Sequence, residues 1–123
     1  MVSQMAPDDS PRNGKAPVAI SQEHWNQLGV GDAVATPVSV FKAVGCLECR
    51  QTGYLGRSGA YELMQLNAAM QSAVAHNPDL ANLRRLAVAG GMRPLRHAAA
   101  EKVVAGTTTI EEALSLTPDP REQ

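Results

Sequence analysis

Phe41-Lys-Ala-Val-Gly45-Cys-Leu-Glu-Cys49-Arg-Gln-Thr-Gly-Tyr54-Leu-Gly-Arg57-Ser-Gly-Ala-Tyr61-Glu-Leu-Met-Gln-Leu66 is the stretch around which the chain is organised. Two arms, residues 38–44 and 58–66, flank a centre that holds Cys46, Cys49 and the glycines Gly45, Gly53 and Gly56. In the first arm Val38, Val40 and Lys42 alternate with Ser39, Phe41 and Ala43. In the second, Ala60, Glu62, Met64 and Leu66 alternate with Gly59, Tyr61, Leu63 and Gln65, the stronger period of two. The pattern predicts a short β-ribbon made by the two arms. A two-stranded ribbon is barely stable alone in water, so a helix or another domain must cover it.

Cysteines two residues apart can aim both sulfurs at one tetrahedral metal ion, and thiolate is a preferred zinc ligand. Gly45 and Gly53 suit the knuckle, because glycine reaches positive φ cheaply where amides turn toward sulfur. Cys46 and Cys49 are thus a candidate half-site for zinc. A bound metal completed by other ligands and a relic that holds by packing are both open readings. Redox chemistry fits less well, since a redox pair opens a helix and Gln51-Thr-Gly-Tyr-Leu-Gly56 does not continue one.

The chain has 123 residues, enough for one small domain. Hydrophobic residues are 44% and aromatic residues only 3%, which predicts a thin, aliphatic core. A net charge of −1 gives no electrostatic footprint for nucleic acid. No run of about 18 apolar residues is present, so direct membrane insertion is not expected. No signal peptide is expected either, and the closely spaced cysteines fit a reducing cytosol.

Residues 1–17 hold three prolines and no apolar period, and read as a disordered lead. Residues 18–37 read as a short helix and linker, with Ser21 capping a helix that carries Trp25 and Leu28 on one face. Trp25 is expected to anchor this helix to the domain. After the ribbon, Asn67 caps an alanine-rich helix over residues 68–75. Asn77 and Pro78 begin a second helix striped by Leu80, Leu83, Leu86 and Ala87, stopped at Gly90-Gly91. A third starts at Pro94 and turns Leu95, Ala98, Ala99 and Val103 inward, ending at Gly106. Thr109 and Glu112 form a capping box for the last helix, after which residues 118–123 are a tail. The fold class is α+β, mostly α. Arg84, Arg85, Arg93 and Arg96 form a cluster suited to a partner's phosphate or carboxylate groups, against the plainer reading as solvated surface charge. His24, His76 and His97 read as exposed helix residues without a ligating role.

Gly45-Cys-x-x-Cys49, Thr52-Gly-Tyr-x-Gly-Arg57, Gly59-x-Tyr-Glu-Leu63, Leu83-Arg84, Gly91-Met92, Leu95-Arg96 and Gly106-x-Thr-Thr-x-x-Glu112 together resemble the C-terminal part of the hexameric ATPases of type II secretion and type IV pilus assembly. The resemblance covers residues 41–117. It implies a cytoplasmic motor piece, peripheral at the inner membrane through its partners, which would be ATPase core subunits, the inner-membrane secretion platform, or further copies in a homo-oligomer. Arg57, Tyr61, Leu83, Arg84, Arg85, Arg93 and Arg96 are the candidate partner-facing residues. The sequence departs from the family where it matters for chemistry. It has no G-x-x-x-x-G-K-[ST], so no ATP is expected to bind this chain alone. The family's magnesium-side acidic residues lie in the portion these residues do not match. The earlier cysteine pair of many members has no counterpart here. Ala98 and Ala99 stand where Asp-Gly is common, and Ser115 where arginine is common. The expected function is a non-catalytic assembly module. A split ATPase completed by a separate core and a metal-knuckle adaptor are the alternatives.

Overall fold

The computed structural model describes residues 2–5, 15–45 and 52–116. Its core starts at α1 (Gln22–Asn26), where the Ser21 hydroxyl accepts a hydrogen bond from the His24 N–H at 3.1 Å. That cap fixes a helix only five residues long, too short to be stable without packing. Packing is supplied by Trp25, 1% exposed, and Leu28, 0% exposed. The Trp25 indole N–H donates to the Val34 carbonyl at 3.3 Å, so the ring is buried with its polar group satisfied. Val30 and Val34 follow into the same cluster across the 3₁₀ turn Gly31–Ala33. Val40, Ala99, Ala100, Val103, Ile110 and Ala113 close it from the other side.

Four strands make two separate two-stranded antiparallel sheets. β1 (Val2–Met5) pairs with β4 (Tyr54–Ser58), with Val2 opposite Ser58 and a register shift between Ser3 and Met5. β2 (Lys15–Ala19) pairs in continuous register with β3 (Ser39–Ala43). The helices follow in order: α2 (Ala68–His76), α3 (Leu80–Ala89), α4 (Leu95–Val104) and α5 (Ile110–Leu116). α2 packs on α3, while α4 and α5 pack on each other and on the strands. α4 is the pivot: Ala99, Ala100 and Val103 are all 0% exposed, and small side chains there let α5 approach closely.

The N-terminal strand is sewn to the last helix. Met5 N–H donates to the Thr107 carbonyl at 2.7 Å, and the Thr108 hydroxyl donates to the Ser3 carbonyl at 2.6 Å. Ser3 N–H donates to a Glu112 carboxylate oxygen at 2.9 Å. Gly106, at φ 77, makes the turn between α4 and α5, and a Cβ there would sit 2.9 Å from the Phe41 ring. Lys15 rides over that same ring, 4.6 Å from its centroid, and donates to the Gly106 carbonyl at 2.9 Å.

The α+β, mostly helical class and the helical order agree with the sequence. The pairing of the strands does not. The arm at residues 38–44 pairs with β2 rather than with residues 58–66, and the second paired strand lies earlier, at Tyr54–Ser58. Alternation signals an extended segment but not its partner. The true partners, Val2–Met5 and Lys15–Ala19, fall largely in residues 1–17, where prolines suggested disorder. Pro17 lies in β2, an edge strand, the place in a sheet where proline is tolerated. Leu28 shares the buried face with Trp25 as expected, and residues 30–34, read as linker, add Val30 and Val34 to the core. The start of α3 also moves: Asp79, not Asn77, is the cap, its carboxylate accepting from Asn82 N–H at 3.1 Å, while Asn77 ends α2. Both residue types cap well, so the pattern alone was ambiguous. The capping box is half formed. Thr109 accepts from Glu112 N–H at 3.2 Å, but the Glu112 carboxylate is drawn to β1 instead.

Candidate partner-docking surface

Beyond Ser58 the chain runs without helix, turn or bend from Gly59 to Asn67. Its apolar side chains are open to solvent: Tyr61 is 76% exposed, Leu63 77%, Met64 46% and Leu66 57%. Side chains of this size are seldom left out together on a finished surface. Two tethers hold the segment. A Glu62 carboxylate oxygen accepts from the Leu95 N–H at 2.8 Å, at the start of α4, where a negative charge meets unpaired amides. At the other end the Leu66 carbonyl accepts from the Gln71 side chain at 2.9 Å, and Asn67 caps α2 through the Met70 N–H at 2.9 Å.

On one side of this segment lies a groove of about 340 Å³ lined by Met64, Met70, Val74, Leu83, Ala87 and Met92, with Glu62, Leu80 and Arg84 also on its wall. Three methionines make its lining adaptable. A second hollow of about 390 Å³ lies between Tyr61, Leu63 and Gln65 and the α3–α4 turn at Gly91 to Arg93. Tyr61 also folds back on Gly59: a Cβ there would lie 2.1 Å from the tyrosine oxygen.

The arginine cluster is divided among different environments. Arg93 pairs with Glu101 across the surface. Arg85 donates to the Asn82 side chain. Arg84 is half-buried against the groove. Arg96 is corrected from a partner-facing residue to an internal one: it is 4% exposed, and its guanidinium reaches the Gln27 carbonyl at 3.5 Å, joining α4 to the end of α1. Arg57 is exposed on β4, opposite Ser3. Leu83 is half-buried and lines the groove, whereas Leu80, predicted to share its stripe, is 70% exposed. Cys46 and Cys49 lie outside the described residues. Among the described residues no group of three or more histidine, cysteine or acidic side chains could hold a metal.

His97 is half-buried rather than exposed; burial, and then the nearby Arg93 charge, push its pKa below the ordinary 6.5, with Glu101 pulling the other way. His24 is also half-buried, and His76 is exposed with its ring nitrogen 2.9 Å from the Ser72 carbonyl. The contacts that sequence reasoning missed are those of Ser3, Thr108 and Tyr54, whose hydroxyl is 2.9 Å from that of Thr109. They join residues more than fifty positions apart, and no local pattern announces them.

The model of the family described as "Type II/IV secretion system protein" matches residues 14–115. The chain belongs to this family. Among its relatives, the type IV pilus assembly ATPase TfpB of Acinetobacter baylyi is 38% identical over 99 residues, which is 80% of this chain and 17% of that protein. The type II secretion system protein HxcR of Pseudomonas aeruginosa is 39% identical over 79 residues, 64% of this chain and 17% of HxcR. The type IV pilus assembly ATPase PilB of Thermus thermophilus is 30% identical over 103 residues, covering 84% of this chain and 12% of its own. The chain therefore spans between 12% and 17% of these relatives. The match takes in β2 through α4 and nearly all of α5, including the whole exposed segment, and leaves β1 outside it. No helix among the described residues is long and apolar enough to cross a membrane.

Proposed function

We propose that this chain is a non-catalytic assembly module of a secretion or pilus machine, packing on an ATPase core or a neighbouring subunit at the cytoplasmic face of the inner membrane. The observation that supports it is the tethered, solvent-exposed apolar segment at residues 59–66 beside the methionine-lined groove. Covering each large side chain there contributes about 1.5–3 kcal/mol, set against an association cost of about 4–15 kcal/mol. The sequence offers no phosphate-cradling loop, so chemistry at a nucleotide would be the core's. The test is to mix the chain with TfpB of Acinetobacter baylyi cut ahead of the matched stretch. A complex with Kd of about 1 μM or tighter is expected. A chain that stays separate from the core at about a hundred times that concentration overturns the reading. ATP turnover appearing only in the mixture would favour the split-ATPase alternative.

Cys46 and Cys49 enter this reading as a zinc half-site. Elemental analysis of protein purified without chelator decides its form. One zinc per two chains indicates a four-sulfur site shared between copies, one per chain a site completed by other groups, as a metal-knuckle adaptor would need, and none a relic that holds by packing.

A further inference from the structure

Thr108 and Glu112 grip one residue of β1 by both of its main-chain groups: the Thr108 hydroxyl donates to the Ser3 carbonyl at 2.6 Å, and the Ser3 N–H donates to the Glu112 carboxylate at 2.9 Å. Two residues on, the Met5 N–H donates to the Thr107 carbonyl at 2.7 Å. Val2 and Met5 are buried while Gln4 between them is exposed. What holds β1 is fixed by contacts that do not involve it. The Thr107 and Thr108 amides both donate to the Lys102 carbonyl, at 2.9 and 3.4 Å, across the turn at Gly106. Ile110 and Ala113 sit in the main core cluster, and the Thr109 hydroxyl is 2.9 Å from that of Tyr54 while accepting from the Glu112 N–H. Val2 and Met5 lie outside that cluster. β1 also pairs with β4 alone, in a sheet separate from β2 and β3, so its departure dismantles no other ladder.

We propose that residues 107–112 and the edge of β4 form a peptide-binding slot, and that β1 is its tethered ligand, able to leave and return while the core stays folded. The occupant is residues 2–5 of this chain. The ligand class is an extended peptide held by its main chain, with apolar side chains at its first and fourth positions, as strand addition requires. A hydroxyl donor and a carboxylate acceptor on one residue select that residue for its amide hydrogen and carbonyl, whatever its side chain. The inference does not depend on the assembly-module reading, because slot and ligand both belong to this chain.

The full chain carrying Ser3→Pro tests this, because proline removes the N–H that Glu112 accepts and leaves the slot untouched. Its urea midpoint falls below that of the unaltered chain, and a free peptide of residues 1–7 raises it again with a Kd of about 1 mM or tighter. The same peptide with Ser3→Ala rescues equally, and with Ser3→Pro not at all. Glu112→Gln, added to the Ser3→Pro chain, keeps the shape but removes the charge and weakens the rescue by about tenfold. An unmoved midpoint in Ser3→Pro, or no rescue by the peptide at about ten times that concentration, overturns the proposal. Rescue by the proline peptide, failure of the alanine peptide, or rescue indifferent to Glu112→Gln overturns it equally. Should Ser3→Pro not fold, native-state hydrogen exchange of the unaltered chain decides. The Ser3 and Met5 amides then exchange at least about tenfold faster than those of Ala99, Ala100 and Val103, through an opening that depends little on denaturant. Exchange of both groups at one rate overturns the proposal. Protection of the Ser3 and Met5 amides that grows with chain concentration, with sedimentation as a dimer, gives the slot to a second copy and overturns the tethered occupant.

Discussion

Gly106 shows how much one position can be made to carry. Its φ of 77 is costly for any residue with a Cβ, and that Cβ would press on Phe41 at 2.9 Å. Gly106→Ala should therefore destabilise by more than about 1 kcal/mol, read as a lowered urea midpoint at unchanged slope. The sequence showed Gly106 as a helix stop. It did not show the aromatic ring beneath it, because Phe41 comes from a strand 65 positions earlier. His97 carries a pH signature of definite sign. Its folded pKa lies below the unfolded 6.5, so the unfolded chain binds the extra proton first. Stability is full above about pH 6.5 and falls as the pH drops through the folded value. His97→Gln should flatten that fall in denaturation midpoints measured between about pH 5 and 8.

At the scale of elements, two leucines separate the interior from the docking face. Leu28 is 0% exposed and packs with Trp25, so Leu28→Ala should lose about 2–5 kcal/mol. Leu80, 70% exposed on α3, should change stability by less than about 0.5 kcal/mol when made alanine. If the two midpoints shift equally, the assignment of inside and outside is wrong. Helix order was legible in the sequence because caps and glycine stops are local: Ser21, Asn67 and Thr109 all accept the predicted amide. Strand pairing was not, because residues 59–66 have the best alternation in the chain and pair with no strand among the described residues. Alternation reports that a segment is built for a sheet, and here the sheet it suits is not supplied by the segment's expected partner. The arginine cluster misled for a related reason. Arg96 lies one position after Leu95 on a helix, and only the fold shows that α1 covers it.

For the whole molecule, β1 decides whether the two ends of the domain hold together. Removing residues 2–5 takes away Val2 and Met5, 1% and 3% exposed, and three hydrogen bonds into residues 107–112. At about 1 kcal/mol per hydrogen bond plus the lost burial, urea unfolding should shift by several kcal/mol. A deletion that leaves the midpoint unmoved would show that β1 is not part of the stable fold. β1 lies ahead of the residues matched to the family, whereas its partner β4 lies within them.

That stitch also sets a timetable for synthesis. Ser3 is translated 105 and 109 positions ahead of the threonine and the glutamate that hold it. Until then Val2, Met5 and the tryptophan helix wait as greasy, unclaimed surface, so a stalled or prematurely released nascent product is a natural client for chaperones and proteases.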